Sequence, residues 1–323
     1  MATTAVNAAG TAPAVAGTRT VLVAGASGFL GHHLVRHLRH RGDVVRRLVR
    51  RGPRAPDEVG WDPASGALDR AALDGVDVVV NLGGASLGRL PWTAAYKEEI
   101  LRSRVDGTRI LAEAVARAID HDGRRVRLLQ ASGTDVYGDR GDEVLTETSD
   151  PGDGFLADVC RQWEAATAPA ADAGAQVVLL RTAPALAPSG GAIAPLTTLI
   201  RLGLGGPIAG GRQWFPWITL ADHVRAQLHL IDSSVTGPVN LAAPGAARQG
   251  EVVAALAAAM HRPAVVRAPR AALALAGRDF ADFLAASRRV APRVLLDDGL
   301  VYLHPDLAAA APWVADRGSA RSE

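Results

Sequence analysis

The chain has 323 residues, 48% of them hydrophobic, which is enough to bury one large core and a smaller second one. A formal net charge of only +2, with no dense basic block, argues against nucleic acid as a partner. The single cysteine, Cys160, excludes an internal disulfide and favours a reducing, cytoplasmic compartment. No run reaches the roughly 18 apolar residues of a membrane span, so no membrane partner is expected.

The first predicted elements are a strand from Thr20, a glycine-rich turn and a helix that runs to about Arg41. A pyrophosphate can bind a helix N-terminus only where backbone N–H groups point at it and no Cβ blocks its approach. Gly25 would make the tight turn, Gly28 the close approach and Gly31 the contact between helix and strand. An incidental glycine-rich loop is the weaker alternative. The predicted cofactor-binding residues of this turn are Gly25, Ser27, Gly28, Phe29, Leu30 and Gly31.

The second predicted strand, Val44 to Val49, ends on Arg50 and Arg51. In dinucleotide folds the end of this strand faces the adenosine ribose, where an acidic residue would bind a free 2′-hydroxyl. Two arginines predict charge-assisted hydrogen bonds to a 2′-phosphate instead, and therefore NADP(H). The alternative is that both arginines merely end a surface strand.

Three histidines of the first helix, His33, His37 and His40, follow one helical face and look like metal ligands. By helical geometry they point away from the apolar residues of the same helix. A solvated face is therefore favoured over a metal site, and no metal is expected.

Further strands alternate with helices along the first half of the chain. Predicted strands cover Val76 to Asn81, Val126 to Ala131 and Gln176 to Thr182, and predicted helices cover Tyr96 to Ala118 and Phe155 to Ala173. This order predicts an α/β fold with a Rossmann-type doubly wound parallel sheet and a smaller C-terminal substrate-binding domain. Ligands of such sheets bind at the carboxyl ends of the strands. Leu82, Gly83 and Gly84, which follow one of these strands, are therefore added to the cofactor-binding residues.

The second half of the chain begins with a Pro/Gly-rich stretch, Ala183 to Gln213, followed by aromatic residues up to Trp217. This segment is either a mobile cover over a pocket or an aromatic anchor in the core. We divide the chain into a disordered tail (1–18), an NADP-binding Rossmann domain whose sheet later segments partly complete (19–182), a substrate-cleft and C-terminal module (183–314) and a polar tail (315–323). An oligomer is possible but not indicated.

Taken together, the motifs resemble the extended short-chain dehydrogenase/reductase superfamily, in particular its atypical epimerase-like branch, the SDR39U type. The resemblance covers about residues 20–312 and implies a Rossmann domain, NADP(H) binding and a small C-terminal domain that completes a substrate cleft. It also adds Arg104 to the cofactor-binding residues. The motifs are Gly25-x-x-Gly28-x-x-Gly31, Trp61-Asp-Pro63, Asn81-Leu-Gly-Gly-Ala, Trp92 with Lys97-Glu-Glu-Ile, Ser103-Arg104-x-x-Gly107-Thr108, Tyr137-Gly-Asp-Arg-Gly-Asp, Phe155-Leu-Ala-x-x-Cys160-x-x-Trp163-Glu164, Gly205-Gly206, Gln213-Trp214-x-Pro216-Trp217-Ile218 and Ser287-Arg-Arg-Val290.

The chain departs from the catalytic pattern of the wider superfamily. Its enzymes carry Tyr-x-x-x-Lys, in which the lysine lowers the pKa of the tyrosine so that the phenol can move a proton. Counting back from Glu164 places Leu156 at the tyrosine position and Cys160 at the lysine position, and Gly133 stands where the catalytic serine is expected. Cys160 is either a nucleophile or, more simply, a small packed side chain.

Any chemistry is therefore expected to use the loop that follows the strand Val126 to Ala131. We predict that Ser132 or Thr134 holds the substrate oxygen and that Tyr137, with an ordinary pKa of about 10, delivers the proton. The alternative is that Tyr137 only packs under the loop.

Three classes of function follow from these motifs. The favoured one is an NADP(H)-dependent oxidoreductase or epimerase acting on a small hydroxylated or carbonyl metabolite. A non-catalytic NADP(H) sensor comes next, and an interaction scaffold that retains only the fold comes last.

Overall fold

The computed structural model describes residues 18–266 and 268–316. The two predicted tails therefore lie almost entirely outside the described residues, which exclude 1–17 of the first tail and 317–323 of the second. The strands are β1 (Thr20–Ala24), β2 (Val44–Val49), β3 (Glu58–Asp62), β4 (Ala67–Leu68), β5 (Val78–Asn81), β6 (Arg127–Gly133), β7 (Val144–Leu145), β8 (Gln176–Thr182), β9 (Ala185–Leu186), β10 (Trp214–Phe215), β11 (Ile218–Thr219), β12 (Gly237–Leu241), β13 (Ala247–Arg248) and β14 (Arg289–Val290). The α-helices are α1 (Phe29–Arg41), α2 (Ala94–Asp122), α3 (Phe155–Ala165), α4 (Ala168–Asp172), α5 (Ala194–Arg201), α6 (Leu220–Asp232), α7 (Gln249–Ala259), α8 (Arg270–Leu273), α9 (Arg278–Ala285), α10 (Arg293–Asp297) and α11 (Leu307–Ala315).

The main sheet of the described chain has eight strands in the order β12-β8-β6-β5-β1-β2-β3-β4. All neighbouring strands are parallel except β3 and β4. Its central strands are continuous apolar runs, and Val21, Leu22 and Val23 of β1 are each 0% exposed, as expected for a sheet covered on both faces. The chain order reverses between β1 and β5, which is where such a sheet opens a ligand crevice. The predicted Rossmann-type fold is confirmed.

A second core lies beyond the main sheet, around the buried Trp217 and Ile200. Three short strand pairs tie this half of the chain to itself and to the Rossmann half: β9 with β11, β10 with β13, and β7 with β14. The last pair joins residues 144–145 to residues 289–290, so the C-terminal module lies directly beside the loop after β6.

Two predicted helices differ from the observed ones for identifiable reasons. The stretch Phe155 to Ala173 forms two helices, α3 and α4, because Pro169 lacks an amide hydrogen and occupies the first turn of α4. Helix α2 is longer than predicted. It begins at Ala94, where the Thr93 side chain accepts a hydrogen bond from the Tyr96 N–H, and ends at Gly123, which has a left-handed φ of 64°.

Candidate functional site

The glycine turn between β1 and α1 has the geometry that a bound phosphate requires. Gly28 caps α1 without a side-chain hydrogen bond, which leaves the first amides of the helix open. A Cβ on Gly31 would lie 2.2 Å from the Gly25 carbonyl oxygen. Gly25 has a φ of +76°, and a Cβ there would lie 2.7 Å from the Leu82 carbonyl. Side chains at these positions would therefore push apart β1, α1 and the loop after β5.

The two arginines after β2 have different surroundings. Arg51 donates hydrogen bonds of 2.8 and 2.7 Å to the two carboxylate oxygens of Glu58. The Arg51 guanidinium and the Arg54 amide lower the pKa of Glu58 to about 2. Arg50 is exposed, and no carboxylate among the described residues lies within ion-pair distance of it. Of the two, Arg50 is therefore the free cation.

The loop after β5 lies beside a buried arginine of α2. A Cβ on Gly84 would be 3.2 Å from the guanidinium carbon of Arg104, which stacks 5.0 Å from the Trp163 ring. Arg104 donates a hydrogen bond of 3.0 Å to the Ile100 carbonyl, and burial lowers its pKa. In the described chain Arg104 forms no ion pair with a carboxylate. A buried cation without a counter-ion favours an anionic or strongly polar ligand at this point.

The same loop is held by a buried amide. The Asn81 side chain accepts a hydrogen bond of 3.1 Å from the Gly83 amide and donates one of 2.9 Å to Gln130. Leu82 and Gly83 consequently have a fixed backbone beside Gly25. The strand end that the sequence assigned to cofactor binding is thus rigid before any ligand arrives.

The hydroxyls of Ser132 and Thr134, two of the three residues predicted to be catalytic, differ in their hydrogen bonding. Ser132 donates a hydrogen bond of 2.6 Å to Glu164, which also forms an ion pair of 2.9 Å with Arg181. The Thr134 hydroxyl is buried and has no hydrogen-bond partner among residues 18–266 and 268–316. Ser132 would have to leave Glu164 to bind a substrate oxygen, whereas Thr134 has an unused hydroxyl that the loop covers.

Tyr137 is 0% exposed and lies under the loop. Its hydroxyl lies 2.7 Å from Asn240 Oδ1 and 3.0 Å from the Thr146 carbonyl, and it accepts a hydrogen bond of 3.1 Å from Arg181. Burial raises the pKa of Tyr137, so the expectation of an ordinary pKa is not met. These contacts favour the packing alternative, and the role of proton donor stays a prediction.

Leu156 and Cys160 are both buried on α3. Burial raises the pKa of the Cys160 thiol to about 12, so a thiolate nucleophile is not favoured at neutral pH. Of the two readings of Cys160, the packed side chain fits this environment.

A cavity of about 330 Å³ opens between the loop after β6, the start of α3 and the C-terminal module. Two charged residues that the sequence did not single out as site residues, Asp135 and Arg288, meet here with 2.9 Å between Asp135 Oδ1 and Arg288 Nη1. The sequence places Asp135 in the loop after the strand Val126 to Ala131, but nothing in it pairs that position with Arg288. The cavity lining includes Asp135, Gly138, Asp153, Leu156, Phe283 and Arg288.

A mobile cover formed by the segment from Pro184 to Trp217 would need hinges, and four of its glycines, Gly205, Gly206, Gly210 and Gly211, are the predicted hinges. Most of them are crowded. A Cβ would lie 2.4 Å from Ile200 at Gly205, 1.7 Å from the Val266 carbonyl oxygen at Gly206 and 2.9 Å from Pro207 at Gly211. Only Gly210 of the four has open space around it. With Trp217 only 1% exposed, these contacts favour the anchor over the mobile cover.

The described residues offer neither a metal site nor a membrane-spanning helix. None of their His, Cys, Asp and Glu side chains forms a cluster of three or more that could hold a metal ion. Among the same residues, every helix is too short or too polar to cross a membrane.

Two family models match the chain. The model described as "NAD dependent epimerase/dehydratase family" matches residues 21–243, and a domain of unknown function, DUF1731, matches residues 268–314. The second match includes α9 and Arg288, which form one wall of the cavity.

Individual proteins are similar over nearly the whole chain. Epimerase family protein Mb2239 of Mycobacterium bovis is 38% identical over 299 residues, which is 92% of this chain and 98% of that protein. The crystal structure of human epimerase family protein SDR39U1 with NADPH has a TM-score of 0.82 and 31% identity, covering 92% of this chain and 99% of the human one. A nucleoside-diphosphate sugar epimerase from Corynebacterium glutamicum has a TM-score of 0.75 and 34% identity, covering 92% of this chain and 58% of its own.

Proposed function

The chain belongs to the NAD dependent epimerase/dehydratase family, and we propose that it is an NADP(H)-dependent oxidoreductase or epimerase acting on a small hydroxylated or carbonyl metabolite. The observation that carries this proposal is the glycine turn, where the backbone at Gly25, Gly28 and Gly31 leaves no room for a Cβ at the end positions and keeps the start of α1 uncapped. The human relative of known structure was crystallised with NADPH.

The residues present fit NADP(H). The amides of Ser27, Phe29 and Leu30 would bind the pyrophosphate at the N-terminus of α1, as helix N-termini bind anions generally, while the Gly28 amide holds the turn by donating to the Gly25 carbonyl. Arg50 would bind the 2′-phosphate, and Arg51, already paired with Glu58, would support it from the side. Leu82 to Gly84 would contact the cofactor through the backbone. Arg104, a buried cation without a carboxylate partner in the described chain, would face a polar group of the cofactor or substrate.

When bound, the nicotinamide would supply hydride chemistry, and the protein's part is to orient the substrate and move a proton. The cavity beside Asp135 has a volume suited to a small metabolite and lies at the carboxyl end of β6. Thr134 is the predicted hydroxyl without a partner in the described chain, and it would hold the substrate oxygen after a small movement of the loop.

A second function, an NADP(H) sensor without turnover, is favoured by one observation. Leu156 and Cys160 stand at the positions of the usual tyrosine and lysine, and both are buried. Neither can move a proton at neutral pH. In this case the C-terminal module would report the bound cofactor to a partner instead of closing a reaction cleft.

Cofactor binding is tested by titrating the protein with NADPH and NADH and following the fluorescence of the reduced nicotinamide. We expect NADPH to bind at least ten-fold more tightly, since charge-assisted hydrogen bonds of roughly 1.5–3 kcal/mol are available only to the 2′-phosphate. Arg50→Ala should remove most of this preference. Arg117→Ala, which removes the same charge from an exposed helical pair on α2, should leave it unchanged.

Equal affinity for both cofactors, or an Arg50→Ala protein with the parent's preference, would refute the NADP(H) assignment. Enzyme and sensor are separated by a second measurement. NADPH-loaded protein is mixed with a panel of small aldehydes and ketones, and absorbance at the nicotinamide band is followed. Oxidation of NADPH by any member supports the enzyme, and stable NADPH throughout favours the sensor.

A further inference from the structure

The position where the superfamily places its catalytic serine is occupied by Gly133 at the end of β6. The space that a side chain would fill there is not empty. A Cβ on Gly133 would lie 3.1 Å from Asp135 Oδ2 and 3.5 Å from Cys160 Sγ. A serine at this position would crowd the carboxylate. The carboxylate of Asp135 therefore borders the space of the missing serine side chain, and the residue at the lysine position, Cys160, borders the same space.

Asp135 is fixed in this place by the C-terminal module. Arg288 Nη1 lies 2.9 Å from Asp135 Oδ1, and the two side chains are only 7% and 16% exposed. The Arg288 backbone amide donates a hydrogen bond of 3.0 Å to the Trp214 carbonyl, and its guanidinium lies 5.7 Å from the Phe283 ring. Two separate parts of the second half of the chain thus hold the arginine that orients the carboxylate.

The ion pair of Asp135 and Arg288 leaves some of its polar atoms without hydrogen-bond partners. Arg288 Nε and Asp135 Oδ1 are both buried, and neither makes a well-aligned hydrogen bond to any part of the protein that the structure describes. Both residues line the cavity of about 330 Å³. Buried polar atoms without partners are costly, so this pair favours a polar ligand that completes their hydrogen bonds.

The other ionisable and hydroxyl groups around this point are less suited to moving a proton. Ser132 is bonded to Glu164, and Tyr137 is enclosed in its own network. Cys160 is buried and neutral, and Arg104 keeps its charge. The cavity lining has four further carboxylates, but Asp135 is the one whose oxygen is the nearest atom to a Cβ on Gly133. The others are Asp139, Asp153, Asp279 and Asp282.

We propose that Asp135 replaces the missing tyrosine and lysine as the group that exchanges a proton with the substrate oxygen, with Arg288 as its positioning residue. The proposal rests on the proposed function. When an alcohol is oxidised, the O–H bond breaks and its proton passes to Asp135 Oδ2, while the carbon gives up a hydride to the oxidised nicotinamide and becomes a carbonyl. In the reverse direction the protonated carboxyl returns the proton to the forming alkoxide.

A binding experiment tests the position of the carboxylate without a substrate. The nicotinamide ring is positively charged only when oxidised, so a carboxylate beside it favours NADP⁺ over NADPH. Asp135→Asn, which keeps the shape of the side chain, should weaken NADP⁺ about ten-fold and leave NADPH within about two-fold. The charge-matched control is Asp158→Asn, whose parent side chain is 52% exposed on α3 and pairs with Arg161, and it should change neither affinity.

Asp135→Glu keeps the negative charge and should retain most of the preference for NADP⁺, which guards against a loss caused only by altered packing. If an aldehyde or ketone of the panel is reduced, Asp135→Asn should lower turnover about 100-fold or more at unchanged NADPH affinity. Parent-like affinities for both cofactors in Asp135→Asn would overturn the proposal. A parent protein that binds neither cofactor would instead refute the proposed function itself.

Discussion

The Tyr137 hydroxyl accepts a hydrogen bond of 3.1 Å from Arg181, the same arginine that pairs at 2.9 Å with Glu164. Because Ser132 also donates to Glu164, two of the three hydroxyls predicted to be catalytic belong to one buried network. The network joins the loop after β6 to α3 and β8. Its members therefore hold the wall of the cleft in place, and a free hydroxyl has to come from elsewhere.

Tyr137→Phe separates the two roles of this phenol. The single hydroxyl hydrogen is donated either to Asn240 Oδ1, at 2.7 Å, or to the Thr146 carbonyl, at 3.0 Å, so the variant removes one donated hydrogen bond and also the oxygen that accepts from Arg181. We expect a loss of about 1–3 kcal/mol in the free energy of unfolding, measured with urea, and an unchanged affinity for NADPH. Ser132→Ala should behave in the same way, since it removes a donor to Glu164.

The matched control for Tyr137 is Tyr302→Phe, because the Tyr302 hydroxyl donates one hydrogen bond of 2.9 Å to the Ala242 carbonyl and makes no other hydrogen bond among the described residues. It should cost about 1 kcal/mol. A Tyr137→Phe protein as stable as the parent but unable to oxidise NADPH would restore Tyr137 as the proton donor.

His223 on α6 gives the fold a dependence on pH. Burial lowers its pKa to about 4, below the ordinary value of about 6.5, so it is neutral in the folded protein. The unfolded chain takes up a proton below pH of about 6.5, whereas the folded protein does so only near pH 4. Stability from this residue is therefore present above pH 6.5 and is lost as the pH falls, by about 2 kcal/mol at pH 5.

The measurement is the urea midpoint of the parent and of His223→Gln at pH 7 and pH 5. The parent should lose more stability between the two pH values than the variant does. His40→Gln, which replaces an exposed histidine of α1, should keep the parent's dependence. Equal slopes for the parent and His223→Gln would mean that His223 is already protonated or solvated in the folded protein.

The sequence was most informative where a local pattern decides the structure. Strand β2 has the predicted bounds, Val44–Val49, because Gly42 ends α1 just before it and β-branched or apolar residues lie at both of its ends. The glycine turn was also predictable, since its spacing follows from the approach of helix to strand. Helix α5 was missed because Pro195 and the surrounding glycines obscured a single short apolar face.

The chemistry of the site depends on ion pairs whose two residues are separated in sequence. Arg51 looked like a free cation, and only the return of β3 beside β2 brings Glu58 to it. Asp135 and Arg288 meet because β14 pairs with β7, a long-range contact that no local spacing encodes. Tyr137 is of a residue type that often acts in catalysis, which is why the sequence suggests a catalytic role. Its burial depends on tertiary packing, which the local sequence does not show.

Gly31→Ala tests the close approach on which cofactor binding depends. The new Cβ would lie 2.2 Å from the Gly25 carbonyl, so α1 or the turn has to move. We expect a loss of about 1–3 kcal/mol in stability and at least ten-fold weaker NADPH binding. Gly52→Ala is the control, because nothing lies within 4 Å of its added Cβ, and it should change stability by less than about 0.5 kcal/mol. Parent-like NADPH affinity in Gly31→Ala would show that the cofactor does not bind this turn.

The segment from Pro184 to Trp217 approaches the phosphate site at the turn around Gly190. A Cβ on either Gly190 or Gly191 would lie 2.8 Å from the ring of Phe29, the first residue of α1. Elsewhere the segment is fixed by α5, whose Ile200 is 0% exposed. The part able to respond to a cofactor is therefore the short turn around Gly190, and the predicted closure of the whole segment becomes less favoured.

Hydrogen exchange followed by mass spectrometry distinguishes a local response from a full closure. In the free protein, amides around Ile200 and Trp217 should already exchange slowly, because they lie in a packed core. Addition of NADPH should slow exchange mainly in peptides that contain Gly190 and Gly191, since an ordered α1 N-terminus holds Phe29 against them. Peptides covering α7 serve as the internal reference and should not change. Slower exchange across all of 184–217 in the presence of NADPH and substrate would instead establish the segment as a lid that closes over the nicotinamide end of the cleft.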